Sequence, residues 1–412
     1  MDITLATVVG LGFLVFGLVS ARLRHSAVTP PMVFVAFGLA VGDAGLRLVS
    51  VRPENASIDL VAELALVVVL FTDASRIDVK LLYREHNLAF RLLTIALPIS
   101  IVMGAAGAWL FFDGLGFWQL AMLATIFAPT DAALAHGVVS NEKIPLQVRQ
   151  TISIESGLND GLCLPLFLMF LCGARLTEHP DTTGYWVRFA AMQISLGPLA
   201  GTAIGYVGGN LILRAWRHRW ITQSFLRLST LALALVAYGG AELVGGNGFI
   251  AAFCAGLTVG YVSRALCRAI HEFAEAEGYL LTLLVFFVLG AVLIPRTFDD
   301  ISIAGVFFAT FALSVIRILS VSVALIGTGL RRATRWLIGW FGPRGVASIV
   351  FALILLEENA VPARREIFAV AIIVVIFSIF AHGLTANPIA NLYARHLAEF
   401  GHAQGAQLRK DQ

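Results

Sequence analysis

The chain has 412 residues, of which 58% are hydrophobic and only 13% charged, with a formal net charge of +3. Soluble domains carry about 25% charge, so this composition excludes a soluble globular fold, and the small charge gives a nucleic-acid partner no footing. Apolar runs recur from end to end, long enough to cross a hydrocarbon core about 30 Å thick.

In chain order, about thirteen spans are predicted, over residues 3–21, 28–46, 58–77, 87–112, 117–140, 148–173, 184–213, 224–244, 247–263, 273–294, 301–329, 336–356 and 366–386. The first lacks a basic leader and a small-residue cleavage site, so no removable signal peptide is expected. Residues 387–412 are polar and are expected to form a short cytoplasmic tail. Cys163, Cys172, Cys254 and Cys267 lie in or at the ends of apolar segments, without metal-ligand spacing. With the N-terminus outside, about 20 Lys and Arg fall in inner loops against about 7 in outer ones, which sets the orientation.

A weak internal repeat runs through these spans. AFGLAVG (36–42) in span two resembles FCAGLTVG (253–260) in span nine. Span five breaks at Ala128-Pro129-Thr130-Asp131, and span twelve breaks at Gly342-Pro343-Arg344-Gly345. Both pairs sit seven spans apart, an odd number, so the two copies must be oppositely oriented. Inverted repeats with matched broken helices build secondary transporters, with the site at the midplane. The expected organisation is a transmembrane domain 1–386, with repeats over 1–175 and 222–386 joined by a linker helix at 184–213. Chance recurrence of G-L-x-V-G in Gly- and Val-rich helices is the plain alternative.

Charges inside the spans carry the chemistry. Pro129 cannot support the helical ladder, and Thr130 and Asp131 follow it about 13 residues into the span, near the bilayer centre. A freed carbonyl beside a carboxylate outlines a hard-oxygen cation site; the alternative is a proline kink with Asp131 capping the following half-helix. In span six, Ser156, Asn159 and Asp160 share one helix face. Asp160 is level with Asp131, and two ionised carboxylates at one depth repel unless a cation or a proton is shared between them. The alternative there is a polar helix contact, with Gly157 and Gly161 allowing close approach. Asp73 near the inner end of span three is either a helix-end residue or the mouth of a cation funnel. Arg317 lies mid-span and needs a carboxylate; Glu155, turned away from Asp160, is the leading partner. Arg344 either caps carbonyls freed at the break or pairs with an acid. His136 and His382 fit either packing or pH sensing.

At these residues the chain resembles the monovalent cation:proton antiporter family, and within it the NhaP-type sodium/proton antiporters. LFTDASRID, APTDAALA, ESGLNDG, FFVLGAVL, Arg317, FGPRGVAS and SIFAHGLTANP carry the likeness, in the family's order. The resemblance implies an NhaA/NhaP-like fold of two inverted six-helix repeats, a homodimer in the plasma membrane and an elevator-like alternation of access. It implies Na⁺ ligands from Thr130 (backbone), Asp131, Ser156 and Asp160, helped by Asp73, and it supports a structural Glu155–Arg317 pair. Asn159 before Asp160, where other members have two Asp, implies electroneutral one-for-one exchange. Asp73 stands where many relatives have Glu, a departure that puts its contact with the ion in doubt. The long regulatory tail of animal relatives is absent, so no such control is expected. No cofactor is implied, since Na⁺ and H⁺ are the cargo. K⁺/H⁺ exchange is the near rival; a cation channel or an intramembrane aspartyl enzyme lacks a filter or a processing motif.

Overall fold

The computed structural model describes residues 3–23, 26–48, 56–76, 87–131, 134–178 and 183–408. Among them every regular element is a helix. In order these are α1 (Ile3–Leu23), α2 (Pro30–Val41), α3 (Ala56–Arg76), α4 (Asn87–Phe111), α5 (Phe117–Ile126), the short α6 (His136–Val139), α7 (Leu146–Glu178) and α8 (Thr183–Arg217). There follow α9 (Gln223–Leu243), α10 (Gly248–Val262), α11 (Arg264–Val288, continued to Thr297), α12 (Ile303–Ala324), α13 (Arg332–Trp340), α14 (Val346–Glu357) and α15 (Arg364–Leu408).

Eight of these helices are long and apolar enough to cross a membrane, and α2, α5, α10 and α14 are shorter apolar helices. With α3 they account for the spans expected from sequence. Local chemistry starts them: α2 opens on two prolines, the first of which needs no N–H partner. Asn247, Ser263 and Ser302 cap α10, α11 and α12 by accepting backbone N–H bonds from Ile250, Leu266 and Gly305.

Two helices run beyond the expected spans. α11 starts at Arg264, ahead of residue 273, so part of the segment expected as an inner loop is helical. α15 continues through Pro388, Tyr393 is buried against Thr334, and the Asn387 amide donates to Ser26 O.

The repeat is visible in the packing. In α2, a Cβ on Gly38 or Gly42 would overlap the carbonyl oxygens of Phe287 or Ala291. In α10, a Cβ on Gly256 or Gly260 would overlap the carbonyl oxygens of Phe71 or Ser75 in α3. Each glycine pair, four residues apart, rests on carbonyls four residues apart in the helix that its counterpart's partner repeats. The G-L-x-V-G similarity is therefore a shared contact and not chance. Spans four and eleven, also seven apart, both contain a π-helical bulge, at Leu92–Ala96 and Ala312–Ile316. Such bulges mark functional helices more often than inert ones.

Candidate functional site

Two interrupted helices cross and satisfy one another. α5 stops at Ile126, and the backbone turns at Phe127 and runs without regular structure through Pro129, which lacks the N–H to continue a ladder. α13 stops at Trp340, and α14 starts only at Val346. Helix ends leave backbone groups unpaired, a serious penalty where water is scarce. At the crossing, the Asp131 N–H donates to the Pro343 carbonyl at 2.7 Å. The Arg344 guanidinium donates to the carbonyls of Ala128 and Pro129 at 2.7 and 2.9 Å. The Asp131 carboxylate accepts from Val346 N–H at 3.3 Å. A cation thus sits at the carbonyl end of one broken helix and an anion at the N–H end of the other, the favourable sign in both places.

This resolves the choice left open for Arg344, which caps carbonyls of the opposite break. It also places the Asp131 carboxylate at the N-terminus of α14. Gly345 is required for that approach, because a Cβ there would overlap Asp131 Oδ2.

α7 supplies the other wall. Thr130 Oγ1 lies 3.0 Å from Ser156 Oγ and accepts from the Asn159 amide at 2.6 Å, with all three residues buried. The Thr130 side chain therefore ties the first break to the polar face of α7. Asp160 follows on that face, half-buried. Its Oδ1 and the Asn159 Oδ1 are buried without a hydrogen-bond partner among the described residues. Oxygen acceptors left this way are unusual and suit a hard cation or a proton.

α14 runs beside α7 in the same direction. Phe167 stacks on Phe351 with centroids 5.0 Å apart, and Arg175 pairs with Glu358 further along. The same offset carried back along α7 puts the second break at the level of Asp160.

Asp73 faces α7 across Gly157, where a Cβ would lie 3.4 Å from Asp73 Cβ and 3.9 Å from its Cγ. Among the described residues no three of His, Cys, Asp and Glu gather closely enough to hold a metal ion. Asp73 therefore does not close with Asp131 and Asp160 into one three-carboxylate cluster. Glu155 points away from Asp160 and meets Arg317 in a two-pronged pair, Nη1 to Oε1 at 2.6 Å and Nη2 to Oε2 at 2.8 Å, both residues 2% exposed. The Arg317 Nε closes on Gly342, where a Cβ would overlap it, so the pair also braces the second break.

Ser378 was not anticipated: its hydroxyl accepts the Arg344 N–H at 2.5 Å, and His382 packs beside it. The S-x-x-x-H spacing in SIFAHG was the readable signal. The side chain of His136 lies outside the described residues.

The profile of the sodium/hydrogen exchanger transmembrane family matches residues 8–392. The chain belongs to that family. Over 395 residues it is 25% identical to the K(+)/H(+) antiporter NhaP of Alkalimonas amylolytica, covering 93% of the chain and 66% of the relative. It is 26% identical over 402 residues to the Na(+)/H(+) antiporter ApNhaP of Aphanothece halophytica, covering 92% of the chain and 72% of the relative. A K(+)/H(+) antiporter NhaP2 of Shewanella baltica is 25% identical over 363 residues, with 62% of its length covered. The chain thus spans slightly less than two thirds of the length of two of these relatives. In fold it matches the sodium proton antiporter MjNhaP1 of Methanocaldococcus jannaschii at pH 8, with a TM-score of 0.75, 20% identity, and 94% of this chain and 99% of that one covered. Family membership and the apolar helices make this exchanger-family chain a multi-pass membrane protein.

Proposed function

We propose that this chain is a secondary active antiporter that exchanges a monovalent cation for H⁺, with Asp131 and Asp160 as the carriers. The observation that carries the reading is the unpartnered carboxylate oxygen of Asp160 beside two crossed helix breaks. A cation bound there draws on Asp160, on Asp131 and on backbone oxygen near Thr130, with Ser156 and Asn159 shaping the wall. A proton on Asp160 removes the charge that holds the cation, so the two species compete. Alternating exposure of the site to the two sides, by movement of the crossed helices against the rest, turns that competition into exchange.

Na⁺ is the expected cargo, the cation for which the Aphanothece halophytica relative is named. Two other relatives are named for K⁺, so K⁺/H⁺ exchange stands as the second reading. The site is proposed to sit in the plasma membrane, in a homodimer, with the N-terminus outside and an electroneutral one-for-one cycle. The division into repeats 1–175 and 222–386 around a linker at 184–213 rests on the matched glycine contacts and the matched bulges.

The test uses everted membrane vesicles with a preset pH gradient. Addition of Na⁺, Li⁺, K⁺ or Rb⁺ is expected to dissipate the gradient for the transported ions only. A gradient that survives all four cations would overturn the antiport reading.

A further inference from the structure

A second polar chain leaves the ion site on the side away from Asp160. Arg344 N–H donates to Ser378 Oγ at 2.5 Å, and Ser378 is fully buried in the apolar middle of α15. His382, one turn further along and 1% exposed, brings Nδ1 within 3.1 Å of Ser378 Oγ and 3.0 Å of Ser378 O. A carbonyl only accepts, so the contact with Ser378 O requires that Nδ1 carry the hydrogen. On the other side of the break, the Trp340 ring lies 5.3 Å from the His382 ring, and its indole N–H donates to Thr385 Oγ1 at 3.0 Å. Residues 378, 382 and 385 share one face of α15. That face grips both ends of the second break, Trp340 before it and Arg344 after it.

We infer that His382 is a positioning residue for exchange: its Nδ1–H, shared between Ser378 O and Oγ, orients the hydroxyl that accepts the Arg344 N–H, and through the Arg344 guanidinium, bonded to the Ala128 and Pro129 carbonyls, it sets the geometry of the first break. The inference rests on the antiport reading above. Ser378 Oγ is the acceptor of the buried Arg344 N–H at the crossing. Its orientation is held from the far side by the imidazole. A ring that merely filled space would not need a particular nitrogen. A ring that positions Ser378 needs Nδ1.

Asparagine and glutamine separate the two nitrogens. The Asn amide nitrogen falls close to the place of Nδ1, and the Gln amide reaches toward Nε2. The purified full chain is reconstituted in liposomes, and kcat and apparent KM are measured for whichever of Na⁺, Li⁺, K⁺ and Rb⁺ the wild type exchanges. H382N is expected to keep KM within about twofold, whereas H382Q and S378A raise it about fivefold, the effect of one lost neutral hydrogen bond. Should H382Q unfold, S378A, which removes a single hydroxyl, decides. Unchanged KM in both H382Q and S378A overturns the inference, as does a fall in kcat alone or rescue by Gln in place of Asn. Absence of exchange in the wild type with all four cations instead overturns the antiport reading itself.

Discussion

Asp131 and Pro343, 212 positions apart in a chain of 412 residues, share a backbone hydrogen bond of 2.7 Å. It joins the two helix breaks, so a change at one break is expected to disturb the other.

Removing either carboxylate takes away the charge for which cation and proton compete. Asp160→Asn and Asp131→Asn are each expected to reduce exchange below about a tenth of wild type, since even 1.4 kcal/mol of lost cation binding is tenfold. Folded yield by size-exclusion profile should be unchanged. Exchange above about a quarter of wild type in either variant, a loss of under 1 kcal/mol, would remove that residue from the essential site. Asp160→Glu keeps the charge and is expected to retain partial activity.

Glu155 and Arg317 meet in a buried two-pronged pair, and a structural role away from the cargo is expected of them. Truncating Glu155 to Ala strands a buried guanidinium at a cost of roughly 3–5 kcal/mol. The unfolding temperature should fall while apparent cation affinity changes little. The double variant Glu155→Gln with Arg317→Met is expected to recover part of the loss. Single variants with wild-type thermal stability would show that the bidentate pair carries no net stabilisation.

Gly345→Ala places a methyl group on Asp131 Oδ2. Asp131 must then abandon Val346 N–H, and helix-terminus contacts of this kind contribute about 0.3–2 kcal/mol. Apparent cation affinity is expected to drop at least several-fold with α14 intact by circular dichroism. Wild-type affinity in this variant would show that the Asp131–Val346 contact is dispensable.

Asn159 is neutral and donates to Thr130, so with Asp160 as the proposed proton carrier one cation is expected to trade for one proton. The membrane potential, worth about 2.3 kcal/mol per charge per 100 mV, then does no work on the cycle. Recordings on a solid-supported membrane should show no steady transport current. A rate that responds to a valinomycin-clamped potential would contradict one-for-one exchange.

Sequence reading reached the spans and both breaks, and it singled out Asp131 and Asp160 beside them, because charges and prolines in apolar runs are conspicuous. It also reached the Glu155–Arg317 contact, since a mid-span guanidinium needs an acid and Glu155 was turned the right way. It did not reach the cross-break bonds of Asp131 to Val346 or of Arg344 to Ala128 and Pro129. Those depend on how two distant segments cross, which periodicity does not encode. Ser378 escaped notice because a serine in an apolar helix usually bonds its own preceding turn. The start of α11 at Arg264 was missed because charged residues extend a helix beyond the membrane without an apolar signal.

The central claim is that cation and proton compete for Asp160. It is tested most directly by the pH dependence of apparent KM for the cation in proteoliposomes at symmetrical pH. Competition for one acidic group predicts that KM rises as pH falls, approaching about tenfold per unit once the group is mostly protonated, while the maximal rate at saturating cation stays constant. A KM independent of pH, with a maximal rate that changes instead, would contradict the claim.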